Sequence, residues 1–338
     1  MRGLGLVLVA LLTAACAVDL PATTAVPSVP TPNAATTAAP TLTLTLAPPP
    51  QTSAPTPTSA PTPTSAPTPT SAPTATPAAQ PSPSPSPTTA PKAVFIVGPT
   101  DDQTDSNLAS AEAMAEQAES AGMDVRRVFF PHATWDNVLA DVQGASLVAY
   151  FGHGYGWPSN TTSLTESRQD GMGLNSYDGS GPAEVNYYGA TLIRQNIRLA
   201  PHALVFVMHG CYTAGNGELG APIPTLDVAR QRVDNFASGW LAAGAGAVVA
   251  LQWGTRFNYP DALTNTDSTI DQLFMSPHEY VGWNDLYFDS QRTPGAVSHL
   301  DPDPKLGYLR AVTGDLTMTT AIWRSGVGQM VPVADAGL

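Results

Sequence analysis

The sequence predicts an α/β domain whose central sheet is mostly parallel and carries helices on both faces. Short, continuous apolar runs recur along residues 92–338, and each is bounded by glycine or by polar turn residues. Segments with apolar residues at helical spacing separate the first of these runs. Continuous apolar runs are typical of strands that are buried on both faces, and their alternation with helices is typical of a doubly wound sheet.

Three strands and two helices open this domain. The strands are predicted at residues 93–98, 124–130 and 147–151. The first helix begins at Thr104 or Ser106 and ends at Gly122, since these residue types favour helix starts and stops. The second helix covers residues 134–142, where Trp135, Val138 and Val142 fall on one face.

The second half of the domain repeats this pattern after an interruption. Residues 154–201 are rich in Gly, Asn, Ser and Tyr, which predicts loops or a small hairpin over the sheet edge. A strand at 203–208, a helix at 227–243 and a strand at 247–253 follow. Beyond residue 258 the pattern weakens: short helices are predicted at 268–274 and 305–312, and residues 315–323 suit either helix or strand.

The N-terminus carries an export signal. Arg2 precedes an apolar run from residue 4 to residue 12, which is too short to span a bilayer. Small residues lead up to Cys16, a pattern that resembles a bacterial lipoprotein signal whose cysteine becomes lipidated. We therefore expect a signal peptide at 1–16 and an extracytoplasmic protein held on the cell membrane through Cys16. An ordinary signal peptide cut near Ala15 is the alternative.

A linker is predicted at residues 17–91. From residue 20 to residue 91 the chain has no charged side chain, and Pro, Thr, Ser and Ala dominate. Such tracts favour extended, solvated polyproline II and do not pack into a core. The linker would hold the domain at 92–338 away from a membrane.

Charge and cysteine content limit the functions open to this domain. The net charge of −13 argues against a basic surface for nucleic acid or for anionic lipid. Cys211 is the only cysteine after Cys16, so the domain has no internal disulfide. A lone cysteine in an exported protein is either a reactive thiol or a small buried side chain.

A histidine and this cysteine follow two of the predicted strands. His153 comes just after the strand at 147–151, and Cys211 just after the strand at 203–208. Reactive groups gather at the carboxyl ends of parallel strands. A histidine close to a thiol can take its proton, and the backbone N–H groups of Gly154 and Cys211 could hold an oxyanion. Neither a Gly-x-Ser-x-Gly motif nor a phosphate-binding loop occurs.

These segments carry a family resemblance. Residues 151–154 (Phe-Gly-His-Gly) and 209–215 (His-Gly-Cys-Tyr-Thr-Ala-Gly) resemble the His-Gly and Cys signatures of caspase-like (clan CD) cysteine peptidases, and more closely the CHAT and gingipain-type branch. Residues 236–253 resemble the helix-Gly-Ala-strand-Trp segment of that branch. The resemblance implies a caspase-like three-layer αβα sandwich, a protein or peptide substrate, His153 as base and Cys211 as nucleophile.

The sequence also departs from that pattern. Gly210 stands where the family usually has alanine, His209 adds a second histidine, and no acidic residue directly follows Trp253. The alternative function is therefore a catalytically silent lipoprotein that acts as a binding or scaffold module. His209, if its backbone is extended, points to the same side as Cys211 and could be a second base, a zinc ligand with His153 and Cys211, or a packing residue.

Acidic residues suggest a specificity pocket and a calcium site. Glu218, Asp227 and Asp261 are the candidates for the pocket, and an acidic lining would favour substrates with Arg or Lys. Asp and Asn cluster at 170–178 and 265–271, where they could hold calcium or form solvated loops. No other cofactor is expected.

Overall fold

The computed structural model describes residues 90–159, 163–179, 184–252, 259–277 and 280–328. The predicted signal peptide, the lipidation site Cys16, the predicted linker up to residue 89, and Trp253 lie outside these residues. Among the described residues, no helix has the length and apolar character needed to cross a membrane.

One large sheet organises the described part of the chain. Its strands and those of a separate hairpin are β1 (Lys92–Val97), β2 (Asp124–Phe129), β3 (Leu147–Phe151), β4 (Met172–Asn175), β5 (Val185–Tyr188), β6 (Ala203–Met208), β7 (Ala245–Leu251), β8 (Leu286–Asp289), β9 (Val297–Asp303) and β10 (Gly307–Gly314). The large sheet has eight strands in the order β2-β1-β3-β6-β7-β10-β9-β8. From β2 to β7 neighbouring strands are parallel, and from β7 to β8 they are antiparallel.

Helices cover both faces of this sheet. They are α1 (Thr104–Ser120), α2 (Trp135–Val142), α3 (Ala190–Asn196), α4 (Leu226–Ala242), α5 (Tyr259–Asn265), α6 (Ile270–Met275) and α7 (Thr320–Ser325). Side chains alternate along each strand, so that Phe95 belongs to the core on the side of α1 and α5–α7, while Ile96 belongs to the core on the side of α2–α4. The α/β fold class with a mostly parallel central sheet is confirmed, and it is consistent with the predicted caspase-like αβα sandwich.

Polar residues set the helix boundaries as the sequence predicts. The Thr134 hydroxyl accepts the Asn137 N–H at the start of α2, and the Thr225 hydroxyl accepts the Val228 N–H at the start of α4. Gly122 follows α1 with φ +84°, a conformation that favours glycine. The three predicted helices of the parallel half are therefore present within a residue or two of their expected bounds.

The predicted hairpin between β3 and β6 is formed by β4 and β5. It lies against the carboxyl end of β1: a Cβ on Gly98 would stand 2.1 Å from the Gly173 carbonyl oxygen. The hairpin thus borders the edge of the sheet from which the β3 and β6 loops leave. The helix α3 follows it and was not predicted.

The helix predicted at 305–312 is wrong, because these residues belong to the β9–β10 hairpin. Leu306, Leu309 and Val312 recur at a spacing that is compatible with a helix. Gly307, with φ +81°, turns the chain, and β10 then pairs with β9 on one side and β7 on the other. The segment 315–323 divides into a turn and the first residues of α7.

Candidate active site

The loops that carry His153 and Cys211 leave neighbouring strands. β3 and β6 pair directly in parallel, with Phe151 opposite Met208. His153 lies two residues past the end of β3, and Cys211 three residues past the end of β6. Both residues are therefore at the carboxyl edge of the sheet, as the sequence predicts.

The two loops meet through the backbone of glycine. A Cβ on Gly154 would stand 2.0 Å from the Cys211 carbonyl oxygen and 2.8 Å from the Cys211 nitrogen. Only a residue without a side chain allows so close an approach. The contact brings together the backbones of Gly154 and Cys211, the two residues predicted to form an oxyanion hole.

The backbone of His153 is held from the sheet and from the β4–β5 hairpin. The buried Tyr150 hydroxyl lies 2.9 Å from the His153 carbonyl oxygen and accepts the Gly173 N–H at 2.8 Å. Burial raises the pKa of Tyr150 well above its ordinary value, so this hydroxyl stays neutral. The His153 side chain is half-buried, and a Cβ on Gly173 would lie 3.3 Å from the His153 Cβ.

Cys211 sits in a tight turn between two left-handed residues. His209 has φ +66° and Tyr212 has φ +67°, conformations that cost non-glycine residues about 1–3 kcal/mol each. The Thr213 hydroxyl donates to the Gly210 carbonyl at 2.7 Å, and the Tyr212 N–H donates to the Asn216 carbonyl at 2.9 Å. Cys211 itself is only 2% exposed.

Comparisons with known proteins add a structural likeness. No family model and no curated protein matches the sequence. A solved structure, the secreted C11 cysteine protease "iotapain" from Bacteroides thetaiotaomicron, aligns with 63% of this chain at 12% identity and a TM-score of 0.29. The chain spans 66% of the length of that protein.

The side chain of His209 is committed to a structural contact. The expected extended conformation is wrong, because its φ of +66° turns the backbone out of the strand. The ring donates from Nδ1 to Oδ1 of Asn107 at 2.6 Å and packs edge-on against Phe151. Burial lowers the pKa of His209, which favours the neutral ring. The contacts fit the packing role among the three that the sequence allows.

The described residues contain no group of three or more His, Cys, Asp or Glu side chains placed to hold a metal ion. This finding covers the zinc set of His153, His209 and Cys211. The described carboxylates of the two clusters considered for calcium likewise form no such group. Asp178 pairs with His132, and Asp271 pairs with His299 at 2.7 Å.

The three candidates for an acidic specificity pocket lie on different elements of the fold. Glu218 is exposed and accepts the Tyr212 hydroxyl at 3.2 Å, so it is tied to the Cys211 turn. Asp227 is exposed in the first turn of α4. Asp261 is exposed in α5, on the opposite face of the sheet, and accepts the Asn265 amide at 2.6 Å.

Three buried polar residues lie around the two loops; the sequence suggested Asp170 only as part of a calcium cluster and did not single out Arg232 or Asn235. Arg232 and Asn235 project from α4, and Asp170 precedes β4; all three are at most 6% exposed. Burial raises the pKa of Asp170 to about 7, although the Trp157 N–H donates to its carboxylate at 3.2 Å. A signal for Arg232 and Asn235 was available in the sequence, because both lie between the apolar positions of a predicted helix. A charge is costly to bury at such a position, so a charged residue there indicates a specific partner.

Proposed function

We propose that the protein is a cysteine endopeptidase that uses a His153–Cys211 dyad and is tethered to the cell membrane through a lipid on Cys16. The observation that carries the proposal is the direct pairing of β3 with β6, together with the backbone contact between Gly154 and Cys211. Because of these features, the residues that carry the thiol and the imidazole lie at the same edge of the sheet. A peptide there would meet the residue types that acyl transfer requires.

The reaction follows from the chemistry of those groups. His153 takes the Cys211 proton, and the thiolate attacks the carbonyl carbon of the scissile peptide bond. The backbone N–H groups of Gly154 and Cys211 stabilise the oxyanion of the tetrahedral intermediate. The imidazolium then protonates the departing amine, which leaves a thioester on Cys211. Water activated by His153 hydrolyses the thioester and restores the thiol.

A peptide library incubated with the full-length protein tests this proposal. We expect the rate of cleavage to fall at least about 10³-fold in Cys211→Ala and in His153→Ala. The removal of either member of a catalytic pair eliminates most of the rate acceleration. Iodoacetamide should label Cys211 in the folded wild type and block cleavage. Cleavage that persists in Cys211→Ala would refute the dyad. The residues preferred before the cleaved bond would decide whether Glu218, Asp227 or Asp261 selects Arg or Lys.

The tether is tested separately in cells. Lipid on Cys16 would keep the protein in the membrane fraction, since several acyl chains on one residue give stable anchoring. Cys16→Ser should release the protein or leave it with an uncleaved signal, and it should lose incorporation of labelled fatty acid. Equal fatty-acid labelling of the variant and the wild type would refute lipidation at this residue.

The deep burial of Cys211 favours a second candidate, a silent caspase-like lipoprotein that acts as a binding or scaffold module. A thiol that is 2% exposed is poorly placed for attack unless the loops around it open. This candidate predicts that iodoacetamide leaves Cys211 unlabelled in the folded protein while denaturant makes it reactive. Rapid labelling of the folded protein would exclude it.

A further inference from the structure

Arg232 connects the two loops of the candidate active site. Its Nε donates to the Pro158 carbonyl at 2.7 Å, on the loop that follows His153. Its Nη1 donates to the Gly215 carbonyl at 2.9 Å, on the loop that follows Cys211. Its guanidinium carbon also lies 4.7 Å from the centre of the Tyr212 ring, at cation–π distance. One side chain on α4 thus contacts both loops.

The same loop is held at a second point by neighbouring buried side chains. The Asn235 amide donates to the Trp157 carbonyl at 2.9 Å, and the Asp170 carboxylate accepts the Trp157 N–H at 3.2 Å. Both backbone groups of Trp157 are therefore fixed by side chains. Gly156 lies just before it, and a Cβ there would be 2.5 Å from the Tyr212 Cβ. The loop after His153 is consequently pressed against the turn that contains Cys211.

The environment of Arg232 is unusual for a charged residue. It is 6% exposed, and no carboxylate forms an ion pair with it in the described ranges. Burial lowers the pKa of its guanidinium. Burying a charge without an ionic partner is costly, and the planar fork of arginine is the group best suited to reach two carbonyls at once.

We propose that Arg232 is a positioning residue, which sets the His153 loop against the Cys211 turn by bridging the Pro158 and Gly215 carbonyls. The inference rests on the proposed function for its catalytic consequence, because the dyad needs its base within hydrogen-bond reach of the thiol. Arg232 touches neither reacting atom. It acts through the spacing of the two loops.

The test compares Arg232→Met with Arg232→Lys and Arg230→Met in the full-length protein. Arg230 lies on the same helix but contacts the Phe288 ring, so Arg230→Met is the matched control. We expect Arg232→Met to lower kcat/KM by about 10²-fold, mainly through kcat, since small misplacements of reacting groups have effects of this size. Arg232→Lys keeps the charge but loses the fork, and should recover about tenfold. Arg230→Met should stay within about twofold of the wild type.

Hydrogen exchange and alkylation separate positioning from general stability. In Arg232→Met, the backbone amide hydrogen of Trp157 should exchange with solvent at least about tenfold faster than in the wild type. The amide hydrogens of β3 and β6 should stay as protected as in the wild type. The pH profile of Cys211 alkylation should move towards that of an ordinary thiol in Arg232→Met alone. If these profiles and kcat/KM match the wild type, or if β3 and β6 lose protection equally, Arg232 is not a positioning residue.

These measurements also distinguish the two proposals. A wild type that neither cleaves peptides nor alkylates at Cys211 refutes the proposed function. In that case faster exchange at Trp157 in Arg232→Met still supports the bridge between the loops, and unchanged exchange refutes it. An active wild type with an equally active Arg232→Met variant refutes only the positioning role.

Discussion

Replacing Gly154 with alanine should separate the two loops of the candidate active site. The added Cβ would stand 2.0 Å from the Cys211 carbonyl oxygen and 2.9 Å from the Gly210 carbonyl carbon. Ordinary contact begins at 3.4 Å, so the backbones must move apart by more than an ångström. Both colliding groups are backbone atoms, which cannot swing away as the end of a flexible side chain can.

The size of the effect follows from this displacement. Overpacking of a buried site costs about 1–3 kcal/mol of unfolding free energy. A displacement of about 1 Å between reacting groups can lower the rate about 10²-fold. We therefore expect Gly154→Ala to fold with a lowered Tm and to lose about 10²-fold in kcat/KM, with slower alkylation of Cys211.

Gly217→Ala is the matched control for this substitution. Gly217 lies on the same loop as Cys211, but the nearest atom to an added Cβ is 3.5 Å away on the Tyr212 ring. This variant should keep the unfolding free energy of the wild type within about 0.5 kcal/mol and its activity within about twofold. If Gly154→Ala behaves like Gly217→Ala, the close approach of the two loops does not exist in solution.

Two further predictions concern buried polar groups. The pKa of Asp170 is raised from 3.8 to about 7, so its contribution to stability is full below pH 3.8 and is lost as the pH rises to about 7. Asp170→Asn, which keeps an acceptor for the Trp157 N–H, should raise the unfolding free energy more at pH 8 than at pH 5, by about 2–3 kcal/mol; an equal change at both pH values would contradict this. Asn107→Ala removes the acceptor of the His209 Nδ1–H and should cost about 1–3 kcal/mol by denaturant unfolding. Asn137→Ala, which removes a surface hydrogen bond to the His132 carbonyl, is its control, and equal losses in the two variants would contradict the buried contact.

The parallel half of the sheet could be predicted because its strands are buried on both faces. The strands β3 and β6 have the predicted bounds, since every residue in them is apolar and buried. The edge strand β8 has alternating exposure over only four residues, which leaves too little pattern to identify it. The strand β10 was mistaken for a helix because its partners β7 and β9, and not its own sequence, decide its conformation.

The candidate site could be predicted only in part, for a similar reason. His153 and Cys211 were found because each follows a continuous apolar run. The left-handed backbone of His209 could not be predicted, since a positive φ is uncommon for any residue other than glycine. Arg232 was missed because its partners are the carbonyls of Pro158 and Gly215, which any sequence would supply.

The left-handed residues on either side of Cys211 bear on the choice between a peptidase and a scaffold. Such conformations persist only where the surroundings hold them in place. His209 is held by Asn107 and by the bond from its N–H to the Leu251 carbonyl at 2.7 Å. Tyr212 is held by Arg232 and Glu218. A scaffold that binds through its surface gains nothing from fixing the backbone around a buried thiol, whereas a nucleophile needs its position fixed before the substrate arrives. The fixed turn therefore favours the peptidase.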